Sequence, residues 1–411
     1  MGKSNLVMIR KSAFYVLLLL FIYVTTFNIF ITGIFKVPAP LIFLVPLLLF
    51  DKIKGTPFVY GYQLLVFFMA AVLYKLIGEA DIPGFFAVLI TVLCFAAFFN
   101  YVIANSLQRI TIAIAIFYSL LMLSGLLMFI DHQYSIARLR SLLVADDVLQ
   151  GPSGIATTIF AFGYQMAALT AFLFSAVILF KKNWLFSLLV IVLALSFIFF
   201  GMQRSVFIAF GFIAVMLIVF YYRAKSIVVF CALLAIFWIG QNYIGQFSAD
   251  KKQQNIFNKN ETQSGRNEMR GDLMSENIAV ITDYPFGLLF YGKSWNDVVQ
   301  HNFVYKSGTS VITSHNAYLM FITYLGPLLG MVLLALLYLK VGSIIGRAFR
   351  QIRRKENALL ISLSCSFIAI SINSFFHNEW LLDGSGPTLF LYFSILQLAK
   401  ISAQKALVVH K

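Results

Sequence analysis

The chain has 411 residues, of which 61% are hydrophobic and 11% charged, with 44 phenylalanines and a net charge of +15. A soluble domain averages roughly 45–50% apolar and about 25% charged residues, so this composition excludes an ordinary cytosolic or secreted globule and makes the bilayer the solvent. At about 20 apolar residues per spanning helix, there is room for about a dozen spans and one modest extramembrane segment, but not for a sizeable soluble domain.

Apolar runs separated by charge or turn clusters predict twelve spans, at about 12–35, 38–50, 58–77, 85–106, 110–130, 155–180, 184–201, 205–222, 227–243, 316–339, 358–376 and 387–398. The second and twelfth are short for a full crossing, and the charges argue that both are real. With Lys3, Arg10 and Lys11 in the cytoplasm and twelve crossings, the inward segments collect Lys52, Lys54, Arg109, Lys181, Lys182, Arg223 and Lys225. They also collect Lys340, Arg347, Arg350, Arg353, Arg354, Lys355, Lys400, Lys405 and Lys411, against only Asp51 and Glu356. The inward side then holds more than the whole net charge and the outer side is slightly acidic, which predicts both termini in the cytoplasm. The expected fold class is thus all-α: a single polytopic membrane domain over residues 1–411, with one long periplasmic loop. The positive charge is explained by topology, and nucleic acid is not an expected partner. The run after Lys11 is too long for a signal core and lacks a small-x-small cleavage site, so no cleaved leader is expected.

Two outer stretches are more than turns. Residues 131–154 place Ile136, Leu139, Leu142, Leu143 and Val148 among Arg138, Arg140, Asp146 and Asp147, a spacing that suits a short amphipathic helix at the interface. Residues 245–314 form the only long hydrophilic segment, rich in Asn, Gln, Lys, Ser and Gly, and are the expected seat of any chemistry outside the membrane. The inner loops are too short for a nucleotide-binding domain, and no GxxxxGK[ST] or GxGxxG pattern occurs. Cys94, Cys231 and Cys365 lie in apolar runs and give no disulfide framework. No HExxH or paired CxxC is present either, so neither a metal nor another cofactor is expected.

Three places carry candidate chemistry. Arg204, in Gly201-Met202-Gln203-Arg204-Ser205, is wedged between two apolar runs on the outer side, against the positive-inside trend; it is either an interfacial anchor or an anion site. Arg266 and Arg270, in Ser264-Gly265-Arg266-Asn267-Glu268-Met269-Arg270, are four apart on a segment of helical character, so both guanidiniums can project from one face. They either pair with Glu268 and Asp272 on a solvated helix or form a clamp for a pyrophosphate, whose oxygens accept bidentate hydrogen bonds. His315, in Ser314-His315-Asn316-Ala317-Tyr318-Leu319, stands where the outer loop re-enters the membrane; it is either a capped helix end or a general base that titrates near neutrality. Gly326, Pro327 and Gly330 allow a break between a short entry helix and the full span that follows.

Taken in order, these features resemble the O-antigen ligase and polymerase family: Gly-x-x-Arg-Ser between two spans, a long outer loop with Ser-Gly-Arg and Tyr-Pro-Phe-Gly at 284–287, then Ser-His-Asn-x-Tyr-Leu leading through Leu-Gly. The resemblance covers roughly residues 185–345 in detail and the twelve-span layout throughout. The family's histidine motif is usually His-Asn, nine residues, then Gly-x-x-Gly. His315, Asn316 and Gly326 keep that spacing, whereas Gly330 falls one position late, which counts against a ligase more than against the family.

The resemblance implies a metal-independent glycosyltransferase in the bacterial inner membrane, active on the periplasmic face. Its donor would be a glycan linked to undecaprenyl pyrophosphate. The acceptor would be another lipid-linked repeat in a polymerase or a lipid A core sugar in a ligase, with polymerase favoured. It also implies His315, Arg266 and Arg204 as catalytic residues and Arg270, Asn316 and Tyr318 on the substrate side, with membrane lipid and a chain-length regulator as candidate partners. A transporter or flippase would instead carry mid-membrane charge and repeated broken helices; apart from Lys75, the spans are almost free of charge. An inactive scaffold would leave the outer arginines without a role.

Overall fold

A computed structural model of the chain describes residues 3–29, 39–50, 57–180, 183–229, 231, 270–299, 306–307, 310–311 and 313–409. The described residues are helical almost throughout; their strands are a two-residue pair, Lys306–Ser307 against Ser310–Val311, antiparallel. Among the described residues, seven helical segments are long and apolar enough to cross a membrane: Gly61–Gly78, Ile82–Ile103, Leu107–Gln133, Ile159–Phe180, Arg204–Val229, Pro327–Arg350 and Lys355–Asn373. The protein is a polytopic helical membrane protein.

In chain order the helices are α1 (Lys3–Thr26), α2 (Ala39–Phe50), α3 (Gly61–Ala71), α4 (Ile82–Ala97), α5 (Leu107–Gln133), α6 (Ala137–Val144), α7 (Ile159–Phe180), α8 (Trp184–Phe200) and α9 (Arg204–Tyr222). After 232–269, which lie outside the described residues, come α10 (Arg270–Asp283), α11 (Trp295–Val299), α12 (Ala317–Leu325), α13 (Pro327–Arg350), α14 (Ala358–Asn373) and α15 (Gly386–Val409). The expected ninth span falls almost wholly outside the described residues, as does the end of the first.

Two expected elements change in extent. The run at 316–339 divides into α12 and α13 at Gly326-Pro327, and α13 continues to Arg350, so Lys340, Arg347 and Arg350 ride on the same helix. Arg347 and Arg350 occupy its last turn, where cations suit the negative end of the helix dipole. The run at 387–398 is the first half of a 24-residue helix, α15, which continues to Val409. Its apolar stretch looked short because Lys400 and Lys405 interrupt the hydropathy without ending the helix.

Two compact units share the chain. The first comprises Met1–Phe117, Glu268–Ser343 and Ser374–Lys411. Its core is aromatic: Phe21 stacks on Phe98 with ring centroids 4.4 Å apart, Phe117 on Phe390 at 4.3 Å, and Phe393 meets Tyr60, Phe95 and Phe99. Stacked and edge-on rings add to the burial of large apolar side chains, which is where many of the 44 phenylalanines go. Tyr60 and Gln397 satisfy their buried polar groups mutually, the Tyr60 hydroxyl donating to Gln397 Oε1 and Gln397 Nε2 to the Ala104 carbonyl.

The second unit, Tyr118–Asn267 and Ile344–Asn373, packs α7 against α8, α9 and α14. Its α7–α14 contact is polar at one point: Ser366 Oγ lies 2.7 Å from the Tyr118 hydroxyl and donates to the Ala168 carbonyl at 2.9 Å. Within 131–154, α6 buries Arg140 and Val144 and exposes Leu139 and Leu142. Arg140 is enclosed by acceptors: Asp131 Oδ2 at 2.5 Å, the carbonyls of Gly154 at 2.9 Å, Gln150 at 2.8 Å and Ala156 at 3.2 Å, and Ser153 Oγ. A planar guanidinium with its donors occupied in this way fixes the loop after α6, and its burial leaves the leucines for an apolar surrounding.

Candidate functional site

The Ser314–His315–Asn316 turn and α12 form the centre of the site. Asn316 is the N-cap of α12, its side-chain oxygen accepting from the Leu319 N–H at 3.0 Å. The Ala317 N–H is shared between the carbonyls of Ser374, at 3.1 Å, and His377, at 3.2 Å. Two of the first three donors of α12 are therefore used by the protein itself, and an anion at this turn depends on side chains for its charge partners. His315 adopts φ 51°, a left-handed conformation that costs a non-glycine residue, although histidine, like asparagine and aspartate, enters it more readily than most. Such strain persists where surrounding contacts impose it, and it concentrates at functional sites.

Around the turn, aromatic rings interlock. Tyr318 packs on Phe375 at 4.6 Å and Trp380 at 5.3 Å, and its hydroxyl lies 3.0 Å from that of Tyr338. Phe321 meets Trp380 at 5.1 Å and Tyr74 at 5.1 Å. The hydroxyl of Asn316's neighbour Ser314 joins a second network centred on Asn277 of α10, which is fully buried. Asn277 Nδ2 donates to Ser314 Oγ at 2.5 Å and contacts Met320 Sδ, while its Oδ1 accepts from Thr323 Oγ1. Asn277 thereby ties α10 to the histidine turn at Ser314 and to α12 at Met320 and Thr323. Arg270 opens α10 two turns earlier, about 10 Å along the axis.

Two glycines make the second tie. Gly287 (φ 93°, ψ 148°) ends the Tyr-Pro-Phe-Gly turn and Gly326 (φ 78°, ψ 158°) ends α12; both conformations belong to a region occupied essentially by glycine. Their backbones meet directly. A Cβ on Gly326 would lie 2.5 Å from both the carbonyl carbon and oxygen of Phe286. Gly330, the glycine one position late in the family pattern, has its own reason: a Cβ there would lie 3.1 Å from Ile322 Cα, where α13 crosses back over α12.

Beside this hub sits a buried ionic cluster. After α3 the helix widens into a π-turn, Val72–Gly78, that carries Lys75 inward. Lys75 Nζ lies 2.7 Å from Glu79 Oε2 and 2.5 Å from Asp383 Oδ1, with the side chain 10% exposed. Tyr74, its neighbour, touches Phe321, Tyr324 and Trp380, so the cluster and the histidine turn share an aromatic wall. Glu379 adds a third carboxyl. Burial first, and the charge of Asp383 second, push it up to about 7; Asp383 is raised by burial as well, with Lys75 pulling the other way.

The expected site residues thus divide. His315, Asn316, Tyr318 and the start of α10 at Arg270 belong to one unit. Arg204 is the exposed first residue of α9 in the second unit, preceded by the buried Gln203. Arg266 lies outside the described residues, as does His301. No group of three His, Cys, Asp or Glu side chains suited to hold a metal ion occurs among the described residues. The sequence singles out Lys75 as the exceptional charge in the spans but does not reveal its cluster, nor the part played by Asn277. Lys75 is a lone charge inside an apolar run with Glu79 one helical turn on, which was a legible signal; Asp383, some three hundred residues away, was not. The chain matches no protein-family model and no curated protein.

Proposed function

We propose that the protein is a glycan transferase of the bacterial inner membrane, with twelve spans, both termini cytoplasmic and the active face periplasmic. Its donor is a glycan linked to undecaprenyl pyrophosphate, and its acceptor, as a surface-polysaccharide polymerase, is a second lipid-linked repeat. A ligase acting on the lipid A core is the alternative; the late position of Gly330 against the resembled motif keeps polymerase ahead. The observation that carries the reading is the Asn277–Ser314 tie, which holds the helix opened by Arg270 against a strained His315 turn.

In this reaction an acceptor hydroxyl oxygen attacks the anomeric carbon. The bond from that carbon to the pyrophosphate oxygen breaks, and its electron pair leaves with the lipid pyrophosphate. His315 takes the hydroxyl proton, and Arg204, Arg266 and Arg270 meet the charge that develops on the leaving group. Asn316 and Tyr318 stand on the substrate side of the same turn. The activated donor supplies the driving energy, so no nucleotide site is required.

Alanine at Arg266 or Arg204 should abolish long-chain polysaccharide in cells that depend on this protein, since one lost preorganised donor costs about 10²–10³ in rate. Gel banding of the polysaccharide, with membrane expression verified, reads the outcome. Unchanged chain length in both variants rejects the arginine clamp.

A further inference from the structure

The Tyr284–Tyr291 stretch is apolar in a way its position in a hydrophilic loop does not explain. Phe286 is 66% exposed and Phe290 63%, with Tyr291 exposed beside them. Met274 and Ile278, one turn apart on α10, are exposed as well, while Leu273, Asn277 and Val280 form the buried side of that helix. Leaving so much aromatic surface in water forgoes roughly 1.5–3 kcal/mol for each large side chain. Monomeric soluble surfaces rarely tolerate such a patch.

Its depth is set by the glycine contact. The backbone of Phe286 rests on Gly326, the residue immediately before α13, and α13 is long and apolar enough to cross a membrane. The turn therefore lies level with the first turn of a span. There the surface is already lipid-facing in character: Leu328 is 81% exposed, and Met331 and Val332 are exposed one turn further. At the rim, Lys293 Nζ stands 5.0 Å from the Tyr284 ring centroid and 3.0 Å from its hydroxyl, a pairing typical of side chains that bury an apolar body and lift a polar tip.

We infer that the Tyr284–Tyr291 turn, with Met274 and Ile278 of α10, dips into the bilayer interface beside the start of α13, and that its partner is the lipid itself. The outer loop is then a reef at the membrane surface, continuous with the lipid-facing side of α13. This inference rests on exposure, on the Gly287–Gly326 contact and on the apolar length of α13, and stands whether or not the protein transfers glycans.

Nitroxide labels on Phe286→Cys and Phe290→Cys, in a Cys231→Ser background of the full chain in lipid nanodiscs, test it. Collisions with oxygen, which concentrates in lipid, are compared with those of a water-soluble nickel complex, using Leu328→Cys as the lipid reference and Arg354→Cys as the aqueous one. Both labels should resemble the lipid reference, several-fold more accessible to oxygen than to nickel. Tyr291→Cys replaces either variant that does not purify as a monodisperse protein. Labels that behave like the aqueous reference overturn the inference, and so do labels immobilised and shielded from both reagents, because a second copy or a protein partner would then cover the turn.

Discussion

Replacing Lys75 by methionine should destabilise the protein by about 3 kcal/mol, at the lower end of the cost of breaking a buried ion pair because Glu79 and Asp383 keep a quarter of their surface. The single change leaves Glu79 and Asp383 without the cation that pairs them, with Glu379 still under the charge of Asp383. Restoring the balance by adding Asp383→Asn should recover part of the loss, whereas Lys75→Ala with the carboxyls intact should not. The pH response has a definite sign. Burial raises the Glu379 carboxyl from 4.5 to about 7, so between those values the folded protein binds more protons than the unfolded chain. Stability must then fall as pH rises through that window. Lys75→Met should steepen the fall and Glu379→Gln should flatten it, as measured by thermal unfolding in detergent at a series of pH values. A Lys75→Met protein as stable as wild type at neutral pH would show that the cluster is not what holds the 374–385 segment against the π-turn.

The second large effect separates stability from activity at His315. Its backbone sits at φ 51°, where a non-glycine residue costs of order 1–3 kcal/mol. His315→Gly relieves that strain and gives back up to about 1 kcal/mol in backbone entropy, so the variant should unfold no more easily than wild type. Glycan transfer should nonetheless be lost, by about 10²–10⁴-fold if the imidazole is the general base. A strained residue whose removal leaves the fold intact and the chemistry dead is one kept for function. A His315→Gly protein that retains transfer would assign the left-handed turn to structure alone.

How far the sequence announces this arrangement varies with the range of the interaction. Local signals read well: Asn316 ahead of an apolar run is the N-cap of α12, Asp81 ahead of Ile-Pro-Gly caps α4, and Gly326-Pro327 divides entry helix from span. The helical class follows from the apolar runs, since backbone polar groups in lipid have few other solutions. Long-range partners do not read. Asn277 is an unremarkable asparagine on a loop helix until Ser314 and Thr323 are brought to it, and Arg140 looks like the polar face of α6 although it is the buried one. The Tyr-Pro-Phe-Gly turn shows the intermediate case: its glycine was visible, but the need for it comes from Gly326 on another element.

On the proposed reading, this membrane protein joins glycans at a surface and does not carry them across. Purified protein in detergent, given an undecaprenyl-pyrophosphate-linked repeat as both donor and acceptor, tests this without a second compartment. Wild type should yield longer lipid-linked glycan together with released undecaprenyl pyrophosphate, and His315→Ala neither product. No joining in detergent, with the same preparation moving the lipid-linked donor between leaflets once reconstituted in vesicles, would contradict it.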